Sequence, residues 1–254
     1  MLGDLRYTDP GEFSALRTRN SQELRNQFYE QEIVKRKNAD PNFVEDQAFR
    51  KQWEAQMPLG FVEHRIAWRA DGKFGSWVLQ HNAIVRINRV LFVHGGISSE
   101  ILGQDITTLN DQIRSELAGG LGEDPGLSEI QYGPLWYRGL ATNDDETERN
   151  LVDNILTTYD VDHIVVGHTP GLGTVVPRFA SRVLVIDSGI SEFYGGHLAS
   201  LLIEGSDIFT IQRDQTVPIP RSDVGLQEYY QAISAIEDPA PAALLQLLEK
   251  LRSD

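Results

Sequence analysis

The sequence predicts an α/β layered fold, and three observations carry that expectation. Short apolar runs rich in β-branched residues, Val90-Leu91-Phe92-Val93, Ile164-Val165-Val166 and Val183-Leu184-Val185-Ile186, read as buried strands. A stretch with Leu151, Val152, Ile155, Leu156 and Tyr159 at helical spacing leads directly into the second run. Each run then stops at reactive chemistry: His94-Gly95-Gly96 after the first, Gly167-His168 after the second, Asp187-Ser188-Gly189 after the third. Open α/β sheets place their sites at such strand ends.

Composition narrows the function classes. With 254 residues the chain suits one large domain, or a two-layer core with a smaller insertion. No apolar run approaches the ~18 residues that a bilayer span requires. The segment Met1-Leu2-Gly3-Asp4-Leu5-Arg6-Tyr7 has neither a basic start nor an apolar stretch. The expected location is therefore cytoplasmic, or periplasmic should a signal peptide precede these residues. The absence of cysteine excludes disulfides and thiolate ligands, leaving His, Asp, Glu and Asn to hold any metal. A formal net charge of -14 disfavours nucleic acid or an anionic membrane as partner. A small phosphorylated group needs only a local cationic pocket, which divalent ions can supply. Oligomeric state is not set by any of these features.

In chain order, Asp9-Pro10 opens a helical region. Ser21 is expected to cap a helix bearing Leu24, Phe28 and either Ile33 or Val34, with Lys35-Arg36-Lys37 at its negative end. Asp40-Pro41 breaks it, and a second stretch with Phe43, Phe49 and Trp53 runs to Met57-Pro58. Residues 9 to 80 therefore read as a helical cap or insertion within a domain of residues 1–220, followed by a helical segment, 221–254. Asp71-Gly72 and Gly75 are expected to mark turns, and Trp77 to be a packing residue. Ala83-Ile84-Val85-Arg86-Ile87 and the first core strand, separated by Asn88-Arg89, form a predicted hairpin.

Beyond His94, the residues Ile106, Leu109, Ile113 and Leu117 share one helical face, which Gly119-Gly120 ends. A glycine- and proline-rich loop over 119–134 leads to Gly133-Pro134-Leu135-Trp136-Tyr137-Arg138-Gly139. A guanidinium beside glycine and aromatic residues is suited to grip a phosphate through two parallel hydrogen bonds, though a surface arginine packed on tryptophan reads equally simply. Leu198 to Ile203 and Asp207 to Ile211 form a second predicted hairpin across Gly205-Ser206. A helix from Pro241 carries Leu244, Leu245, Leu247, Leu248 and Leu251 as a docking stripe.

Two strand-tip histidines, His94 and His168, can share a metal site on one sheet. A single such histidine would more simply be structural, and His64, His81, His163 and His197 are read that way. Asp187 is either a carboxylate that orients a metal ligand or one that caps its own turn.

At these residues the chain resembles the calcineurin-like metallophosphoesterases, and within them the Shewanella-like protein phosphatases. The matching pieces are Leu2-Gly3-Asp4-Leu5-Arg6-Tyr7, Phe92-Val93-His94-Gly95-Gly96-Ile97, Gly133 to Gly139, Val166-Gly167-His168-Thr169, and Ile186-Asp187-Ser188-Gly189-Ile190 with Tyr194-Gly195-Gly196. The resemblance implies a β-sandwich flanked by helices, and phosphomonoester hydrolysis by a water held between two divalent ions, Mn, Fe or Zn. It further implies His94 and His168 as ligands of one metal, Arg138 as the catalytic residue that holds the phosphate, and Tyr137 beside it in the substrate pocket. The implied substrate is a phosphorylated protein, on serine, threonine or tyrosine, or a small phosphomonoester.

The sequence departs from that pattern in one respect. Three earlier family motifs, Gly-Asp-x-His-Gly, Gly-Asp-x-x-Asp-Arg-Gly and Gly-Asn-His-Glu, do not occur in these 254 residues. With them go the bridging aspartate, an asparagine ligand, a phosphate-binding arginine and the histidine that protonates the leaving group. The expectation is the C-terminal part of a longer enzyme, lacking the first βαβ half of the scaffold and dependent on it for activity. The alternatives are a non-catalytic binding or regulatory protein on the same scaffold, and a dinucleoside polyphosphate hydrolase.

Overall fold

The computed structural model describes residues 8–119 and 125–253, so the match at Leu2 to Tyr7 and the glycine at 120 lie outside the described residues. The chain divides into two compact units, one built on residues up to His81 with the last turn of a later helix, the other on the remainder.

The first unit is helical: α1 (Pro10–Leu16), α2 (Ser21–Ala39), α3 (Gln47–Gln56), α4 (Phe61–Ala67) and α5 (Lys73–Leu79). The Asp9 carboxylate caps α1 by accepting from the Gly11 amide at 2.6 Å, with Pro10 in the first helical position. Ser21 does not cap α2. Asn20 holds that position, while the Ser21 hydroxyl is buried and donates to the Thr18 carbonyl at 2.9 Å. Ile33 rather than Val34 faces inward, and it joins Tyr29 and Trp53 in a small core against Phe28, Phe43, Phe49 and Met57.

Two expectations fail here. Gly75 marks no turn but lies inside α5, where a Cβ would stand 1.9 Å from the Arg69 carbonyl oxygen, so the position records a close backbone approach. Trp77, two residues on and hence on roughly the opposite helical face, is 61% exposed and stacks on His81 at 4.2 Å.

The second unit opens with the predicted hairpin, β1 (Ile84–Ile87) and β2 (Val90–Val93), paired from Ile84↔Val93 to Ile87↔Val90. Asn88 takes the left-handed conformation that the tight turn requires (φ 53°). In α6 (Ile106–Gly119), Leu109 and Ile113 are buried. Between them Asn110 accepts from the Ala83 and Ile84 amides at 2.9 and 3.0 Å and donates to the Ile84 carbonyl at 2.8 Å, occupying the backbone groups of β1. The chain continues through α7 (Gly139–Thr142), α8 (Asp145–Tyr159), β3 (His163–Val166), β4 (Val176–Arg178) and β5 (Val183–Val185).

The first sheet runs β1-β2-β3-β5-β4, with β2, β3 and β5 parallel at its centre and antiparallel strands at both edges. Its three central strands are the three apolar runs of the sequence. Phe179, Ala180 and Ser181, all left-handed (φ 54°, 56° and 63°), turn β4 into β5.

A second, antiparallel sheet is formed by β6 (Ala199–Glu204), β7 (Asp207–Gln212) and β8 (Gln215–Pro218). The helices α9 (Leu226–Ile236) and α10 (Ala242–Leu251) complete the chain. Val90, Val165 and Leu184 of the first sheet share one core with Ile208 and Val217 of the second, Ile233 of α9, and Leu244 and Leu248 of α10. Leu245 points outward instead, 45% exposed. The fold is thus α/β, two sheets packed on a common apolar layer with flanking helices.

Below the core, the Gln212 amide donates to the Gly173 carbonyl at 2.9 Å and to the Glu237 carboxylate at 2.7 Å. That carboxylate also receives Arg213 at 3.0 Å and lies 3.3 Å from the His197 Nδ1. Burial pushes the Glu237 pKa up, but hydrogen bonds from Gln212, Arg213 and His197 outweigh it and hold the group below the usual carboxylate range.

Candidate active site

Because β2 and β3 are parallel and in register through Val93↔Val166, the residues that follow leave the sheet side by side. The Gly167 amide donates to the His94 carbonyl at 2.9 Å, extending the ladder past the strands. His168 then adopts a left-handed backbone (φ 61°), and its ring comes to 4.7 Å from that of His94, centroid to centroid, at 45°. The sequence-predicted pair is therefore brought together.

The two glycines after His94 admit a second chain segment. Gly95 and Gly96 both donate to the Pro134 carbonyl, at 2.8 and 3.3 Å. A Cβ on Gly95 would lie 3.0 Å from backbone atoms of Leu135, Trp136 and Tyr137, so only glycine lets this loop approach. The loop is fixed further back by the Ser98 hydroxyl on the Tyr132 carbonyl (2.8 Å) and by the Trp136 indole N–H on the Ser128 carbonyl (2.9 Å).

Arg138 arrives on this loop, its Nη2 3.0 Å from the His168 Nε2. Among the described residues no carboxylate pairs with it. Trp136 stands edge-on to His168, with ring centroids 5.2 Å apart at 87°. Sequence reasoning treated Trp136 only as a neighbour of Arg138, although an aromatic residue in that motif was a visible signal. Arg138 and Trp136 also line a cavity of about 370 Å³ with Glu129, Gln131, Tyr137 and Asn143.

Tyr137 does not turn its hydroxyl toward the histidines. It donates to both oxygens of the buried Glu148 carboxylate at 2.9 Å, while its ring covers Gly96. Asp187 follows β5, and its Oδ1 accepts from the Gly189 amide at 3.1 Å, a turn contact; its charge reaches both histidine rings through space. His64, His81, His163 and His197 lie elsewhere, His64 buried among aromatic rings and His163 bonded to the Ser181 carbonyl at 2.9 Å.

Both site histidines have lowered pKa values. For His94 burial is the main cause, with Arg138 adding to it and Asp187 opposing; for His168 burial is joined by His94 and Arg138. Burial and the neighbouring guanidinium thus favour the neutral ring, the form that coordinates metal. As a metal centre, however, the set is incomplete. Among the described residues no group of three or more His, Asp or Glu is placed to hold an ion. Two imidazoles suit part of one coordination sphere, and a two-ion centre needs a bridging carboxylate that they do not provide. The described residues do not fit the binuclear group.

Comparison with known proteins bears on this geometry. The family model for calcineurin-like phosphoesterases matches residues 2–172. An uncharacterized protein of Schizosaccharomyces pombe, C1840.07c, is 31% identical over 167 residues, which is 62% of this chain and 50% of that protein. A structure of a cold-active protein tyrosine phosphatase aligns with a TM-score of 0.52 and 28% identity, covering 70% of this chain and 53% of that one. The cold-active protein-tyrosine phosphatase of a psychrophilic Shewanella species aligns at a TM-score of 0.46 and 26% identity, over 72% and 52% of the two chains. The chain spans about half the length of these relatives.

Proposed function

From the premise that the chain belongs to the calcineurin-like phosphoesterases, we propose that its strand-end site binds the phosphoryl group of a phosphomonoester for metal-dependent hydrolysis, with phosphotyrosine as the preferred substrate class. The observation that carries this reading is Arg138, a guanidinium without a carboxylate partner among the described residues, set against two neutral imidazoles. Its fork can take two phosphoryl oxygens at once. His94 and His168 are the two residues that would hold one divalent ion. The half-exposed ring of Trp136 beside Arg138 favours an aryl ester over an alkyl one. The aligned cold-active tyrosine phosphatase supports the same preference.

A test is hydrolysis of phosphotyrosine and phosphoserine peptides with Mn²⁺, comparing the wild-type chain with Arg138→Ala. Turnover that favours phosphotyrosine and vanishes in the variant is the expected result; equal turnover in the variant overturns the assignment. The second reading, a binding protein on the same scaffold, draws on the incomplete metal set. It predicts phosphopeptide binding that needs Arg138 but gives no hydrolysis at any metal concentration.

A further inference from the structure

We propose that Glu148 is the positioning residue for Arg138, fixing from behind the loop that presents the guanidinium; the inference rests on the reading of Arg138 as the phosphate grip. Glu148 sits in the first turn of α8 and is only 5% exposed. Burial of an ionised carboxylate is unfavourable unless donors surround it. Here no cation pairs with it among the described residues, and its donors are instead the Tyr137 hydroxyl, at 2.9 Å from each oxygen, and the Asn143 amide at 2.6 Å.

Those two donors bracket Arg138 in the chain. Tyr137 precedes it. Asn143 ends α7, whose opening carbonyl is that of Arg138 itself, accepting from the Ala141 and Thr142 amides at 2.9 and 3.0 Å. Between them, a Cβ on Gly139 would fall 2.2 Å from the Tyr137 hydroxyl and 2.7 Å from the Glu148 Oε1, so the carboxylate lies directly against the backbone that follows Arg138. Arg178 of β4 holds the same short helix from the other side, donating to the Leu140 carbonyl at 2.8 Å and to the Asn143 carbonyl. Glu148 touches neither histidine nor the guanidinium, so its effect passes through the loop. Nothing in α8's own packing asks for an acid at this position, where the neighbouring inward residues are Val152 and Ile155.

The test uses the full chain with phenyl phosphate as probe, following the indole N–H resonance of Trp136. Glu148→Gln is expected to weaken binding about tenfold, the equivalent of ~1.4 kcal/mol, and to shift that resonance in the free protein. Tyr137→Phe, which removes one donor and keeps the ring, is expected to weaken binding in the same direction, and the double variant to add little to Glu148→Gln alone. Ile155→Val serves as the control for stability, lowering the melting temperature while leaving affinity unchanged. Should Glu148→Gln fail to fold, Tyr137→Phe decides. Wild-type affinity in these variants alongside a loss in Arg138→Ala overturns the positioning role and leaves the phosphate site standing. Wild-type affinity in Arg138→Ala overturns the underlying reading itself.

Discussion

The Gly167 amide donates to the His94 carbonyl at 2.9 Å, one step beyond the last paired residues of β2 and β3. That hydrogen bond carries the sheet's pairing one residue past the strands and so fixes the starting point from which His168 turns toward His94. His168 stands one residue beyond the position level with His94, and its left-handed backbone (φ 61°) turns the ring back, leaving the two rings 4.7 Å apart.

Metal binding is expected to be shallow. Equilibrium dialysis with Mn²⁺ or Zn²⁺ should find no more than one ion per chain, and His94→Ala should weaken that site by more than the roughly 10- to 100-fold typical of outer partners. Two tightly held ions would mean that carboxylates complete the centre.

Two glycines should respond oppositely to alanine. Gly95→Ala pushes a methyl to 3.0 Å from three backbone atoms of the Arg138 loop, and the expected destabilisation is about 1–3 kcal/mol by urea unfolding. Gly171→Ala meets nothing within 4 Å and should be neutral or stabilising by about 0.4–1 kcal/mol.

Stability should fall in acid through Glu237. Its folded pKa lies below its unfolded one, so the carboxylate contributes stability above the unfolded value, near the ordinary 4.5, and that contribution is lost as pH falls through the folded value. Urea midpoints measured from pH 7 to pH 3 should drop for the wild type more steeply than for Glu237→Gln. Parallel curves would place the acid sensitivity elsewhere.

The C-terminal stripe divides in two. Leu244→Ala, fully buried in the shared core, should cost about 2–5 kcal/mol. Leu245→Ala, with its side chain at the surface, should stay within about 0.5 kcal/mol. Equal losses would mean α10 docks on a different face.

What could be read in the sequence was what repeats or interrupts. The central strands announced themselves because unbroken apolar runs ended at histidine, glycine or aspartate, and parallel pairing then brought the segments of His94 and His168 side by side. Strand β4 was invisible, being three residues long, at an edge and containing Pro177. Tyr137 was legible as part of a motif but not in direction, since the loop coils through turns and sends its hydroxyl to Glu148. Glu148 itself looked like one of three acids in a helix's first turn, beside Asp145 and Glu146, and only burial separates it from them. Gly75 and Trp77 misled for a related reason: a seven-residue helix has too few positions to declare its inner face.

The turn Phe179-Ala180-Ser181 curls against the handedness natural to L-amino acids, a disadvantage of roughly 1–2 kcal/mol per residue. Complete enclosure of the Phe179 ring and the Ser181 hydroxyl on the Pro220 carbonyl offset it. What that contrary curl delivers is β4, and with it Arg178 beneath α7. The steadiness of the Arg138 loop is thus anchored in a chirality conflict at the opposite end of β5, and relaxing it, as Ala180→Gly would, tunes the one by way of the other.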